Sequence, residues 1–319
     1  MTDSTPLNLV LEGDEPWVIN QRIFYILNTY LQPNARLSPV NAAQEIDKLF
    51  PLNRPREEDK ENEDPAIFLF EMWDVVVSLA EQIPWNHPGQ NRLVELIQAL
   101  RDLPEPKTVE LKNWDDQVVY SDLPLLGPVM TERNHGMRFI FSYILFCVWS
   151  FIGIVIAFNL EYPSGDPEAL RIRKYNFVAF SARLTQSGVA DRSLHFSIVD
   201  FQSALEVEPD YRSKVYHKQG PQMDLYVPFP VIWLLLCGDV IFSHCRNPGP
   251  PSTLIQVKDR KRNWKGASGF SIERWNFWKK RFGEIKGHDQ ASKKTKELAT
   301  EGETLMNRIE SEASAMRIF

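Results

Sequence analysis

Cysteine is scarce in this 319-residue chain, and the three that occur, Cys147, Cys237 and Cys245, are too few and odd in number for a disulfide framework. Cys237 and Cys245 would stand about 12 Å apart on a continuous helix, at a rise of ~1.5 Å per residue, too far to bridge. Strand-like alternation between turn signals is absent, and so is any 30- to 50-residue repeat, which excludes a sandwich, a barrel and a regular solenoid. Met1–Leu11 is polar and acidic where a secretory signal would be basic and then apolar. These absences point to a reducing compartment, cytoplasmic or nuclear, with a single-pass membrane protein as the alternative.

Catalytic motifs are missing as well. Gly266-Ala-Ser-Gly269 is not a nucleophile elbow, and the same glycines do not make a phosphate loop. His244 beside Cys245 diverges on a helix, and no second pair has metal-ligand spacing. His135, His195, His217 and His288 are solitary, so no metal and no cofactor is expected.

What is present is helical. Hydrophobic residues make up 43% and charged residues 24%, ordinary for a folded core. Trp17, Phe24, Leu27 and Leu31 recur at helical spacing after Pro16. Ser38-Pro39 and Asp64-Pro65 each place a cap before a proline at the first helical position. The stretch from Pro65 to Ile83 is apolar nearly all round, the mark of a central helix. Leu93, Leu96, Ile97 and Leu100 face inward on the next. Leu103–Gly136 is broken by prolines, with Trp114 and Leu123–Leu126 as anchors. Asp166-Pro167 opens a helix to Gln186, stopped by Gly188, and Asp191 caps one with Leu194, Ile198, Phe201 and Leu205 in register. Pro228–His244 is a second apolar helix, interrupted by Gly238 and Asp239. Ser271 caps a helix presenting Trp275, Trp278, Phe282 and Ile285. The reading is an all-α fold, an irregular multi-helix orthogonal bundle in one extended domain. Residues 1–15 are a disordered N-terminus, 16–288 the helical domain with an apolar insert at 137–162, and 289–319 a C-terminal helix docked on that domain. Gly302 weakens any free coiled-coil seam in that last helix.

Charge is uneven. The net charge is −6, yet Gln256–Thr300 carries 13 Lys/Arg against 5 Asp/Glu. The balance disfavours nucleic acid and marks a basic C-terminal face that could receive an acidic protein partner. Lys258–Arg262 fits a nuclear-import pattern that solvated loops share.

The segments Pro84–Leu103 (PWNHPGQNRLVELIQALRDL), Asp122–Gly127 (DLPLLG), Phe177–Thr185 (FVAFSARLT) and Trp264–Phe282 (WKGASGFSIERWNFWKKRF) resemble, in consistent order, a fungal family catalogued as domain of unknown function 3632. The resemblance implies a fungal, mainly helical protein with no activity to carry over. It also implies that Met137–Tyr162 departs from the family pattern.

That insert contains Phe139–Leu160, 22 residues without a charge, enough to span ~30 Å of hydrocarbon. Arg133, His135 and Arg138 before it would lie on the cytoplasmic side. Three readings compete: translated non-coding sequence, a membrane span, and a buried helix. The first leads, because 13 of the 20 residues Phe139–Phe158 are Phe, Ile, Leu or Val, whose codons share a central uracil. Sequencing the transcript decides it. A membrane partner is expected only if the span is genuine.

Single residues add weak signals. His87, in a Trp-Asn-His-Pro-Gly turn with Gln90 behind it, could serve as a base near neutral pH, though capping the turn is the plainer role. Asp239 inside an apolar helix would be costly if buried and unpaired, so a partner such as Arg183 or a pocket is expected. Trp264, Glu273 and Arg274 stand in an aromatic and basic stretch that could stack a ligand, although tryptophans at helical spacing are usually core. The leading function is a non-enzymatic interaction or scaffold protein. The alternative is an enzyme or binding protein for small molecules of fungal specialised metabolism, which requires His87, or Glu273 with Arg274, to line a deep cavity.

Overall fold

The computed structural model describes residues 5–55, 63–104, 108–109, 117–134, 166–190, 193–209, 222–248 and 262–315. Expectations that rest on Phe139–Leu160, Trp114, Cys147, His135, Asp191, His217 and Lys258–Lys261 lie outside them. The described chain is all-α apart from one two-residue antiparallel pairing and an isolated antiparallel bridge between Val207 and Arg262. Residue contacts separate two compact units, Met1–Phe177 and Val178–Phe319, a division the sequence reading of one extended domain did not draw.

In the first unit, α1 (Val18–Leu31) buries Ile19, Ile23, Leu27, Tyr30 and Leu31 along one face. Ser38 Oγ accepts from Asn41 N–H to start α2 (Pro39–Asp47), and Asp64 accepts from Ala66 N–H to start α3 (Pro65–Gln82). Both caps and both first-turn prolines sit where the sequence put them, because cap chemistry is local. Helix α3 buries side chains on every side, from Phe68 and Leu69 through Trp73 to Ala80, and packs against α1, α4 (Gly89–Arg101) and α5 (Leu126–Asn134). The irregular region from Leu103 holds β1 (Thr108–Val109) and β2 (Gln117–Val118), too short to leave an alternating signature. Three non-glycine residues there, Tyr120, Leu123 and Leu125, take positive φ. That backbone costs about 1 kcal/mol or more per residue. It is held by Trp73 Nε1, which donates to the Pro124 carbonyl at 2.7 Å, and by Tyr120 packed edge-on against Phe50.

Within the segment 1–15, read from sequence as disordered, Leu7 and Val10 are held by side chains of α1 and α3 or their caps. Gln32 accepts from Leu7 N–H and donates to Leu7 O, and Gln82 does the same for Val10, so two side-chain amides satisfy the backbone of this segment. The first unit closes with the opening of α6 (Pro167–Gln186), capped by Asp166.

The second unit takes the remainder of α6, then α7 (Leu194–Phe201), which widens into a π turn over Gln202–Glu206. Then come α8 (Gln222–Tyr226), α9 (Pro228–Arg246), α10 (Ile272–Lys286) and α11 (Lys293–Ala315). Gln222–Arg246 is long and apolar enough to cross a membrane, with a mean hydropathy of 2.0, but 67% of that window is buried, as in a core helix. Helix α9 kinks at Cys237, one residue before Gly238. Helix α11 packs along α9 and α10 through Ala299, Gly302, Leu305, Met306 and Ile309. Gly302 is required by contact: a methyl group there would lie 2.8 Å from Phe282 Cζ.

Candidate functional site

Among the described residues, one ionic centre in each unit gathers several buried charges. The one in the second unit begins with a backbone irregularity. The π turn at the end of α7 brings Glu206 inward beside Leu205, both fully buried. Across from it, Arg274 follows the Ser271 cap of α10 and points inward, 1% exposed. Arg274 Nε donates to Glu206 Oε1 at 2.7 Å and Nη2 to Oε2 at 3.0 Å, a bidentate fork. One turn further on, Trp278 Nε1 donates to the same Oε1 at 2.7 Å, and its ring lies 5.2 Å from the guanidinium carbon. Arg274 Nη1 satisfies the Gly269 carbonyl, while Arg281 Nε satisfies that of Leu205. Every polar arm of the pair is answered, so it offers neither a free proton acceptor nor an approach from solvent.

Nearby groups are equally committed. Asp200 accepts from Trp233 Nε1 at 2.8 Å in the core. Burial pushes the Cys237 thiol well above the usual range and the Cys245 thiol up to about 12, so neither is a thiolate nucleophile at neutral pH.

The first unit holds the looser centre. Asp74 and Glu81 lie two turns apart on α3 and therefore on one face. Arg133, near the end of α5, donates through Nη2 and Nε to Asp74 Oδ1 at 2.7 and 2.8 Å and reaches Glu81 at 3.3 Å. Arg173 of α6 binds Glu81 at 2.5 Å and Glu12 at 2.6 Å, and Glu12 also binds Arg133 at 3.1 Å. Burial works against the Arg133 charge, but Asp74, Glu81 and Glu12 outweigh it and hold the guanidinium firmly protonated. Glu132 next to this set is pushed up to about 7, chiefly by burial and further by Asp74, with Arg133 opposing. Three carboxylates thus share two arginines, and a fourth titrates near neutrality.

Of the six residues singled out from sequence, His87 and Gln90 fall in the first unit and Asp239, Trp264, Glu273 and Arg274 in the second. His87 is buried; its Nδ1 accepts from Gly89 N–H at 2.9 Å and its Nε2 faces the Thr5 carbonyl, so the ring caps the start of α4. Gln90, fully buried, donates to the carbonyls of Ala80 and Ile83, and Asn176 donates to that of Glu81. These two amides close the orphan C-terminal carbonyls of α3. Asp239 is the clearest departure: it is exposed on α9 and meets Gln186 Nε2 at 3.5 Å rather than Arg183, so no burial cost arises. Trp264 stacks on Phe277 at 5.4 Å and donates to Ala267 O, closing its own loop. Glu273 is exposed while Arg274, its neighbour, is buried, so the two do not line one cavity. Among the described residues no cluster of three His, Cys, Asp or Glu could hold a metal ion. The basic C-terminal face is also less basic than its composition. Lys279 pairs with Glu310, Lys286 with Glu303 and Arg281 with Glu208, all acids outside the basic window.

Sequence reading missed Glu206 and the Glu12–Asp74–Glu81–Arg133–Arg173 set. Their partners lie from 52 residues apart, for Glu81 and Arg133, to 161, for Glu12 and Arg173, beyond any local spacing signal. The one usable hint was the pair Asp74 and Glu81, seven residues apart on an otherwise apolar helix.

These features define an all-α protein in which Glu206 is joined to Arg274, and Asp74, Glu81 and Glu12 to Arg133 and Arg173. The chain belongs to the family described as protein of unknown function (DUF3632), whose model matches residues 73–282. That span contains Asp74, Glu81, Arg133, Arg173, Glu206, Arg274 and Trp278. No curated protein and no solved structure matches the chain.

Proposed function

We propose that this chain is a non-enzymatic helical interaction protein of the cytoplasm or nucleus, with α1 as its contact element. The observation that supports this reading is the outer face of α1. Trp17 (58% exposed), Val18 (63%) and Tyr25 (73%) point to solvent, opposite the buried Ile19, Ile23 and Leu27. Exposed tryptophan and tyrosine on a rigid helix are the residue types that dominate binding energy at protein interfaces. The basic face around α10 is a weaker candidate, because its lysines and arginines already hold Glu208, Glu303 and Glu310.

The small-molecule alternative draws no support from the residues it named. His87 and Gln90 cap helices, and Glu273 is exposed while Arg274 is buried.

The test uses the full chain carrying Trp17→Ser and Tyr25→Ser, compared with the unmodified protein by quantitative affinity purification and by thermal unfolding. The reading expects at least a tenfold loss of the specifically bound proteins with an unchanged midpoint. Undiminished binding by the double variant contradicts it.

A further inference from the structure

We infer that the end of α5 and the start of α6, the two flanks of residues 135–165, are clamped together on one side of any membrane. Helix α5 ends at Asn134 and α6 begins at Pro167. One carboxylate of the central helix holds both: Glu81 binds Arg133 at 3.3 Å and Arg173 at 2.5 Å. Glu12 repeats the arrangement, binding Arg133 at 3.1 Å and Arg173 at 2.6 Å. Lys174 completes the clamp by donating directly to Asn134, the last residue of α5. Arg133 and Glu81 are each only 9% exposed, and Val129 and Met130 anchor α5 in the core beside them. Groups that share an oxygen within hydrogen-bond reach cannot also stand across ~30 Å of hydrocarbon.

The reach can be bounded. A lysine reaching an asparagine separates their Cα atoms by no more than ~12 Å, and eight residues of α6 lead back from Lys174 to Asp166 over another ~12 Å. The chain therefore returns within ~24 Å of where it leaves.

The experiment uses the full chain in sealed microsomes. Cys147→Ser removes the native thiol within the segment, and Cys237 and Cys245 are buried. Thr131→Cys on α5 and Glu168→Cys on α6, both at exposed positions, are introduced singly. Each is probed with a membrane-impermeant maleimide before and after detergent permeabilisation. The clamp requires the two positions to behave alike, whether the protein binds the vesicles or stays free of them. One position labelled at once and the other only after detergent overturns it. Circular dichroism of the two variants confirms that both retain the helical fold.

Discussion

The two ionic centres solve one problem in different ways. Glu206 and Arg274 are sealed, one acid to one base, with Trp278 as a third donor and no access for water. The Arg133 centre is wetter and acid-rich: Asp74 is 39% exposed, and Glu12, Asp74 and Glu81 share Arg133 and Arg173. A sealed pair costs most when one partner is removed, because the other is left charged in a poorly polarisable interior. A shared and partly wet centre yields gradually, since water replaces what is lost. The contrast follows from position. The sealed pair fastens α10 to the π turn within one unit, whereas the open centre gathers α3, α5, α6 and the N-terminal segment.

The largest expected effect that separates the two is from Arg274→Met, which should cost about 3–5 kcal/mol in denaturant unfolding. Arg133→Met should cost about 1–2 kcal/mol, because Asp74 retains solvent and Arg173 still pairs with Glu12 and Glu81. An equal loss for both would erase the comparison. Gly302→Ala drives a methyl into Phe282, and overpacking of about 1–3 kcal/mol less the helix-propensity gain of ~1 leaves a net loss near 1 kcal/mol by thermal melting.

Glu132 gives the pH-dependent sign. Its folded pKa is raised to about 7 from 4.5, so the unfolded chain ionises it first and stability falls as pH rises between those values. Glu132→Gln should therefore leave stability unchanged near pH 4 and raise it at pH 8 by on the order of 1 kcal/mol, after allowance for the solvent the carboxyl keeps. Unfolding curves at the two pH values check this.

Legibility followed range. Ser38, Asp64 and Ser271 were readable as caps because the groups they satisfy lie two or three residues away. The all-round apolar α3 and the stop at Gly188, which has φ +68°, were readable for the same reason. Glu206 was not, since a π turn shifts helical phase and its partner is 68 residues on. Asp239 misled in the other direction: an acid in an apolar run suggested burial, yet α9 kinks at Cys237 and leaves that position facing water. The N-terminus looked structureless because its partners, Gln32 and Gln82, belong to distant helices. The +8 excess before Thr300 suggested an open basic face, but folding brings Glu208, Glu303 and Glu310 onto it.

The claim that buried charge here serves the fold is tested most directly by a double-mutant cycle on Glu206→Leu and Arg274→Leu, read by equilibrium unfolding. The account predicts that each single change costs about 3–5 kcal/mol and that the double change recovers much of that loss, with a coupling of about 2 kcal/mol or more. Single changes within about 1 kcal/mol of the unmodified protein, adding without coupling, would contradict it.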